Sequence, residues 1–291
     1  MEIEKDESYL DEQRHRTIIK ANALIQKSRY SLSLLQNKIV NYLISQISTY
    51  DEDFRFVDFS IPDFCRLCGM DETSGKNYKN LKTAIKGIAD KSVWVELEDG
   101  TETILRWIEK PYINKNSGII RIKLDEDMKP YLLQQKKNYT AREALWTYSF
   151  EYKYTERLYQ YVCSIHYHKA EVYVSTITLD ELRVRLDAEN YTTYQALKSR
   201  VLIPAVNEIN EMTDKYVKLS PIKKGRAVEA IQLSVMTKTP EEQELARLRV
   251  DEKLKKEAKK DKDNDQVSME DIEPSPEVSP TESTEDYVVM E

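Results

Sequence analysis

A chain of 291 residues has room for about two domains. Its hydrophobic content of 40% supports ordinary cores, although 33% of the residues are charged. No stretch approaches the roughly 18 apolar residues of a membrane span, the first eleven residues are acidic without an apolar h-region, and three cysteines without a secretion signal fit a reducing cytoplasm; membrane and secreted classes are thereby excluded, and a cytoplasmic protein is expected.

The formal net charge of −7 is unevenly placed. Residues 240–291 hold 17 acidic and 8 basic side chains, whereas residues 1–239 hold 34 acidic and 36 basic. Residues 190–239 alone hold 4 acidic and 8 basic. The acidic balance is therefore a property of the tail. The end of the body offers the positive local field that a DNA contact requires.

Taken in chain order, residues 1–16 read as a mobile N-terminus and residues 17–27 as extended or strand. Ser33 followed by Gln36 is a capping box, and the helix it opens places Leu35, Ile39, Leu43 and Ile47 on one face. Residues 54–59 read as a strand. Ser60-x-x-Asp63 caps a short helix that stops at Gly69. Residues 74–91 form the next helix, with Leu81, Ile85 and Ile88 inward. Residues 93–97, 103–108 and 119–124 alternate as strands, the first two joined at Asp99-Gly100. A short helix over residues 125–135 closes this unit.

The plan then repeats. Residues 154–166 read as a helix and 172–177 as a strand, and Thr178-x-x-Glu181 is a second capping box. After a turn at 190–193, a long helix over 194–211 aligns Leu197, Val201, Ala205 and Ile209. Pro204 within it removes one backbone bond and predicts a bend. Residues 216–219 and 228–236 are strands joined by a basic loop. The pattern Tyr-x-x-Leu-Lys-x-x-(Ile/Val) occurs at Tyr78 and again at Tyr194, 116 residues on, and the two helix caps lie 118 apart. Helix, strand, helix, helix, strand pair is the order of a winged helix-turn-helix. The fold class is thus α+β: two tandem winged helix-turn-helix domains, at 17–137 and 138–239, plus a charged, largely disordered tail at 240–291. Within it residues 241–260 read as a highly charged helix without a wide apolar face and residues 261–291 as disordered; the tail reads first as a solubilising segment and second as a peptide that docks on a partner.

With Leu197 and Val201 inward, Gln195, Lys198 and Ser199 point away from the core and Arg200 lies at the flank. Tyr194 opens the same helix, whose first turns are the part that enters a major groove. Gln pairs with adenine, and Arg and Lys reach guanine or phosphate. Lys223, Lys224 and Arg226 then place three cations at a hairpin tip, which suits a wing on phosphates or a minor groove. The competing reading is a solvated turn beside an ordinary amphipathic helix. In the first unit Lys76, Asn77, Lys79, Asn80, Lys82 and Lys86 crowd the equivalent helix. That composition serves backbone contact, dimer formation or base reading equally.

Two motifs point elsewhere. His166-Tyr167-His168 resembles the metal motif of rolling-circle nickases, and Tyr194-x-x-x-Lys198 their nucleophile motif. The setting opposes this, because both histidines must project alike from a strand yet these end a helical stripe. Surface histidines at a helix C-terminus are the plainer alternative. Cys65-x-x-Cys68 lacks the further ligands that zinc requires, so buried small apolar residues are expected. No catalytic residue, cofactor or metal is expected.

Ala21-Asn22-Ala23-Leu24-Ile25, Gln36-Asn37-Lys38-Ile39, and the run from Tyr194 through Leu197-Lys198-x-Arg200-Val201-Leu202-x-Pro204-Ala205-x-x-Glu208-Ile209-Asn210 resemble the RepB/RepE-like plasmid replication initiators, an iteron-binding family with two winged helices. The run Ile222-Lys223-Lys224-Gly225-Arg226 fits as well. The resemblance covers residues 17–239. It implies binding of directly repeated origin DNA as a monomer, opening of adjacent AT-rich DNA, and recruitment of the host initiator and replicative helicase. It also implies a dimer, joined largely through the first domain, that represses its own gene. A purely transcriptional winged-helix repressor remains an alternative at this level, because both activities need only specific binding.

Overall fold

The computed structural model describes residues 2–270, apart from Thr49, Glu98, Lys115 and residues 167–170. Helix α1 (Glu2–His15) leads into β1 (Thr17–Ala21), α2 (Asn22–Gln26) and β2 (Ser28–Arg29). Residues expected to be mobile thus form a helix. Tertiary contacts hold it: Leu10 packs on the core, buried Gln13 accepts from Gln46 at 2.8 Å, and Arg14 donates to the Arg66 carbonyl at 3.1 Å. A helix this polar has no local signal of its docking partner.

The first winged unit starts at α3 (Leu34–Ser45), where the capping box between Ser33 and Gln36 is formed in both directions. Strand β3 (Val57–Ser60) and helices α4 (Ile61–Leu67) and α5 (Gly75–Ala89) follow. Ser60 caps α4 and Ser74 caps α5. Leu81, Ala84, Ile85 and Ile88 are buried, each worth up to about 1.5–3 kcal/mol for a large aliphatic side chain. The unit continues through β4 (Ser92–Glu96), β5 (Glu102–Arg106), β6 (Tyr112–Ile113) and β7 (Ile119–Ile122). A 3-10 turn at Glu126–Met128, α6 (Lys129–Leu132), β8 (Tyr139–Glu143) and α7 (Ala144–Ser149) complete it.

The second unit comprises α8 (Lys153–Ile165), β9 (Val172–Thr178), α9 (Leu179–Leu186), α10 (Tyr194–Leu197), a π-helical turn at Lys198–Leu202, α11 (Ile203–Met212), β10 (Lys215–Lys224) and β11 (Ala227–Thr237). The two units share element order but not strand pairing. In the second, β9 joins the hairpin directly, in the order β10-β11-β9. In the first, β3 pairs with β7 instead, and β2 takes the place beside β4 and β5. Alternation marks a strand and its buried face, whereas the partner depends on the extra β6–β7 segment that only the first unit carries.

Helix α12 (Pro240–Glu270) corrects the reading of the tail as a purely solvated segment. Ala246, Val250 and Leu254, four residues apart, are buried against the body. One residue per turn is too narrow a stripe to stand out among so many charges. The helix runs on to Glu270, and the rest of the stretch expected to be disordered, residues 271–291, lies outside the described residues.

A continuous apolar core runs through both units, with Trp107, Trp146, Tyr148 and Tyr159 fully buried. Within it lies a polar cluster around Glu156, which accepts from Arg142, Asn41, Gln160 and Thr147. Lys20 joins through Asn41 at 2.8 Å and Gln160 at 3.2 Å. The members of this cluster therefore partner one another, as low dielectric surroundings demand.

Candidate nucleic-acid interface

In the second unit, Thr178 and Glu181 form the expected capping box at the start of α9. The helix ends at Asp187, whose φ of +55° is left-handed. The turn that follows is held by Arg183, whose guanidinium donates to the carbonyls of Tyr191 and Thr192, both at 3.0 Å, and pairs with Asp180 at 2.8 Å. Thr193 then caps α10 by accepting from Ala196 N at 3.2 Å. These two side chains orient the helix that opens at Tyr194. Sequence reasoning passed over both. Thr193 carried a readable signal as a threonine before an apolar stripe, whereas the reach of Arg183 exists only in the folded turn.

Burial of Leu197 and Val201 turns Gln195, Lys198, Ser199 and Arg200 to solvent. Ser199 Oγ donates to the Gln195 carbonyl at 2.9 Å, which leaves its lone pairs outward. Tyr194 differs from the others, being half-buried and packed against the core. The wing is a long antiparallel hairpin with a bulge between Ile222 and Lys223. Its tip turns at Gly225, whose φ of +64° is a region open to glycine without penalty. Lys223, Lys224 and Arg226 are all exposed there. Lys224 pairs with Glu229 at 3.3 Å, and an exposed pair of this kind contributes less than about 1 kcal/mol, so it yields readily to a phosphate.

In the first unit Lys76, Lys79, Asn80, Lys82 and Lys86 are exposed along α5. Asn77 is half-buried, and its amide donates to the Asp71 carbonyl at 3.1 Å, so it shapes the turn between α4 and α5. The two helices thus present similar cationic faces, but only the second is followed by a three-cation wing tip.

The remaining motifs settle differently. His166, expected at the surface, is buried where it closes α8, with its backbone N–H bonded to Val162 O. His168 lies outside the described residues. Cys65 and Cys68 are buried on and just beyond α4, and burial pushes the Cys68 thiol up to about 11. Among the described residues no group of three or more His, Cys, Asp or Glu side chains is placed to hold a metal ion. No helix among them is long and apolar enough to cross a membrane.

Comparison with known proteins agrees with this architecture. The family described as "Initiator Replication protein, WH1" matches residues 17–163, and "Initiator Rep protein, WH2" matches residues 178–235. The Pi initiator protein, solved in complex with iteron DNA, superposes with a TM-score of 0.64 at 19% identity, over 77% of this chain and 98% of that one. The WH1 domain of the MSBI1.176 replication protein aligns at 15% identity over 43% of this chain and 87% of that one, with a TM-score of 0.24 that carries no weight. No curated protein matches the chain. Both winged-helix families match in order and cover most of the body, and the chain belongs to the initiator replication protein family of DNA-binding plasmid replication initiators.

Proposed function

We propose that this chain initiates plasmid replication by binding directly repeated origin DNA as a monomer. It promotes opening of adjacent AT-rich DNA and recruits the host initiator and replicative helicase. As a dimer it represses its own gene. The reading assigns the principal DNA contact to the second winged unit, and dimerisation with auxiliary contact to the first. The observation that carries it is the solvent-facing set Gln195, Lys198, Ser199 and Arg200 on a helix clamped by Arg183 and Thr193, together with the exposed Lys223, Lys224 and Arg226 of the same unit's hairpin tip. Phosphate neutralisation drives such binding and base edges specify it. Two winged helices match a repeat of about 20 base pairs, or one to two duplex turns.

The test uses the DNA flanking the gene. The parent is expected to bind a tandem repeat there in preference to scrambled duplex. Lys223→Ala and Lys224→Ala are expected to weaken binding to all duplexes and to flatten the log–log salt slope by about 1 each. Gln195→Ala and Arg200→Ala are expected to erode discrimination between sites by about 1–3 kcal/mol. Four variants that bind the repeat like the parent at physiological salt would remove this face from the account.

A further inference from the structure

Two consecutive residues of α12 touch the two reading units. Lys253 Nζ lies 3.5 Å from Glu208 of α11, and it also binds the Ser149 carbonyl at 2.7 Å and Glu151 at 2.9 Å. Glu208 is itself buried, accepting from Glu151 N at 2.7 Å and Thr155 Oγ1 at 2.6 Å. The recognition helix of the second unit is thus tied at its far end to α12. Leu254, the next residue, is buried against the first unit. Its backbone lies so close to Gly69 that a Cβ there would sit 2.7 Å from Leu254 O and 2.8 Å from Leu254 Cα. Gly69 follows α4 and begins the turn into α5, so α12 presses on the helix-turn-helix of the first unit.

The rest of the helix supports the same span. Thr239 and Glu242 cap its start, and Lys238 donates to Asn210 O of α11 at 2.6 Å. Farther along, Arg247 reaches Glu143 at 3.3 Å and lies over the Trp146 ring at 5.7 Å. Asp251 pairs with Arg14 at 3.4 Å. The chain therefore leaves the second winged helix at β11 and returns onto the first through α12. A segment that only solubilised the protein would have no use for a buried stripe, a half-buried lysine held by carboxylates of the body, and a glycine shaped to receive its backbone.

We propose that α12 is a strap that fixes the spacing between the two DNA-reading helices, so that Lys253 and Leu254 help determine which repeat spacing the protein accepts. This rests on the DNA-binding reading above. Such an element acts by positioning: it need not touch DNA, and it raises specificity by removing alternative geometries from the free protein.

The experiment has two arms, both on the full chain. In the first, spin labels at Glu102→Cys and Thr176→Cys, exposed on the two units, report the distance between them without DNA. A chain lacking the added cysteines sets the background from the native thiols. Leu254→Ser is expected to broaden that distance distribution, and an unchanged distribution would overturn the strap. In the second arm, affinity is compared on the repeat and on repeats carrying one to four base pairs inserted at the centre. The parent is expected to lose at least tenfold on insertion, and the variant to shrink that penalty at least fivefold while its β-strand amides stay protected from exchange. A penalty kept within twofold of the parent's would sink the proposal. Lys253→Met removes the carboxylate pairs but leaves the apolar stripe, and carries both arms if Leu254→Ser fails to fold. A parent that ignores every repeat would count against DNA binding itself, while the distance arm still decides the strap.

Discussion

Lys20 is buried in the middle of the molecule with Arg142 close by and one carboxylate, Glu156, between them. Burial, aided by the Arg142 charge, pushes its ammonium down to about 7 from 10.5. Between about pH 7 and 10.5 the unfolded chain holds a proton that the native chain has released, so stability rises with pH across that window. Below about pH 7 both states are protonated and this contribution is level. The slope is about 1.4 kcal/mol per pH unit. Lys20→Met is expected to remove that slope from urea unfolding measured at pH 7, 8 and 9. Parallel curves for parent and variant would show that Lys20 keeps its proton in the fold. At the same scale, Asn77 and Tyr194 show why the type of a residue is a weaker guide than its surroundings. Both lie on the expected helices, yet Asn77 spends its amide on Asp71 O and Tyr194 packs against the core.

Among the elements, the long helix over 194–212 is the most instructive. A four-residue step overshoots one turn by about 40°, so a stripe of four such residues drifts by about 120° in a regular α-helix. Leu197, Val201, Ala205 and Ile209 are nevertheless all buried. The π-helical turn at Lys198–Leu202, where Ile203 N bonds Lys198 O, absorbs part of that drift. Pro204 follows directly, so the missing N–H falls where the helix has already widened. The first turn of this helix depends on its cap. Thr193→Ala is expected to cost about 1 kcal/mol of stability by denaturant melt, and to lower repeat affinity by loosening Gln195 and Lys198. A variant with lower stability but parental affinity would separate the cap from recognition.

For the whole molecule, charge is segregated along the chain. Residues 271–291 contain seven acidic side chains and no basic one, so ending the chain at Glu270 takes the formal charge from −7 to 0. Removing them is expected to raise affinity for any duplex by about threefold to tenfold at low salt, with the difference closing as salt screens it. Equal affinities at both salts would mean that the acidic segment does not oppose DNA at all.

What could be read from the chain alone was whatever is written in local hydrogen bonds and local periodicity. The capping boxes at Ser33 and Thr178, the stripes through Leu81 and Leu197, and the glycine at the wing tip each involve residues within a few positions of one another, and these suffice to specify the tandem winged helices. Tertiary structure alone decided the docking of α1 and α12, the exchange of β3 for β2 beside the first hairpin, and the reach of Arg183 across the turn. The docked helices and the exchanged strand depend on partners dozens to hundreds of residues away, whose approach is set by packing of the whole core; Arg183 reaches Tyr191 and Thr192, only 8 and 9 residues on, but through an irregular turn with no periodicity to read. A single buried residue per turn, as at Ala246, Val250 and Leu254, acquires meaning only when the surface that receives it has formed.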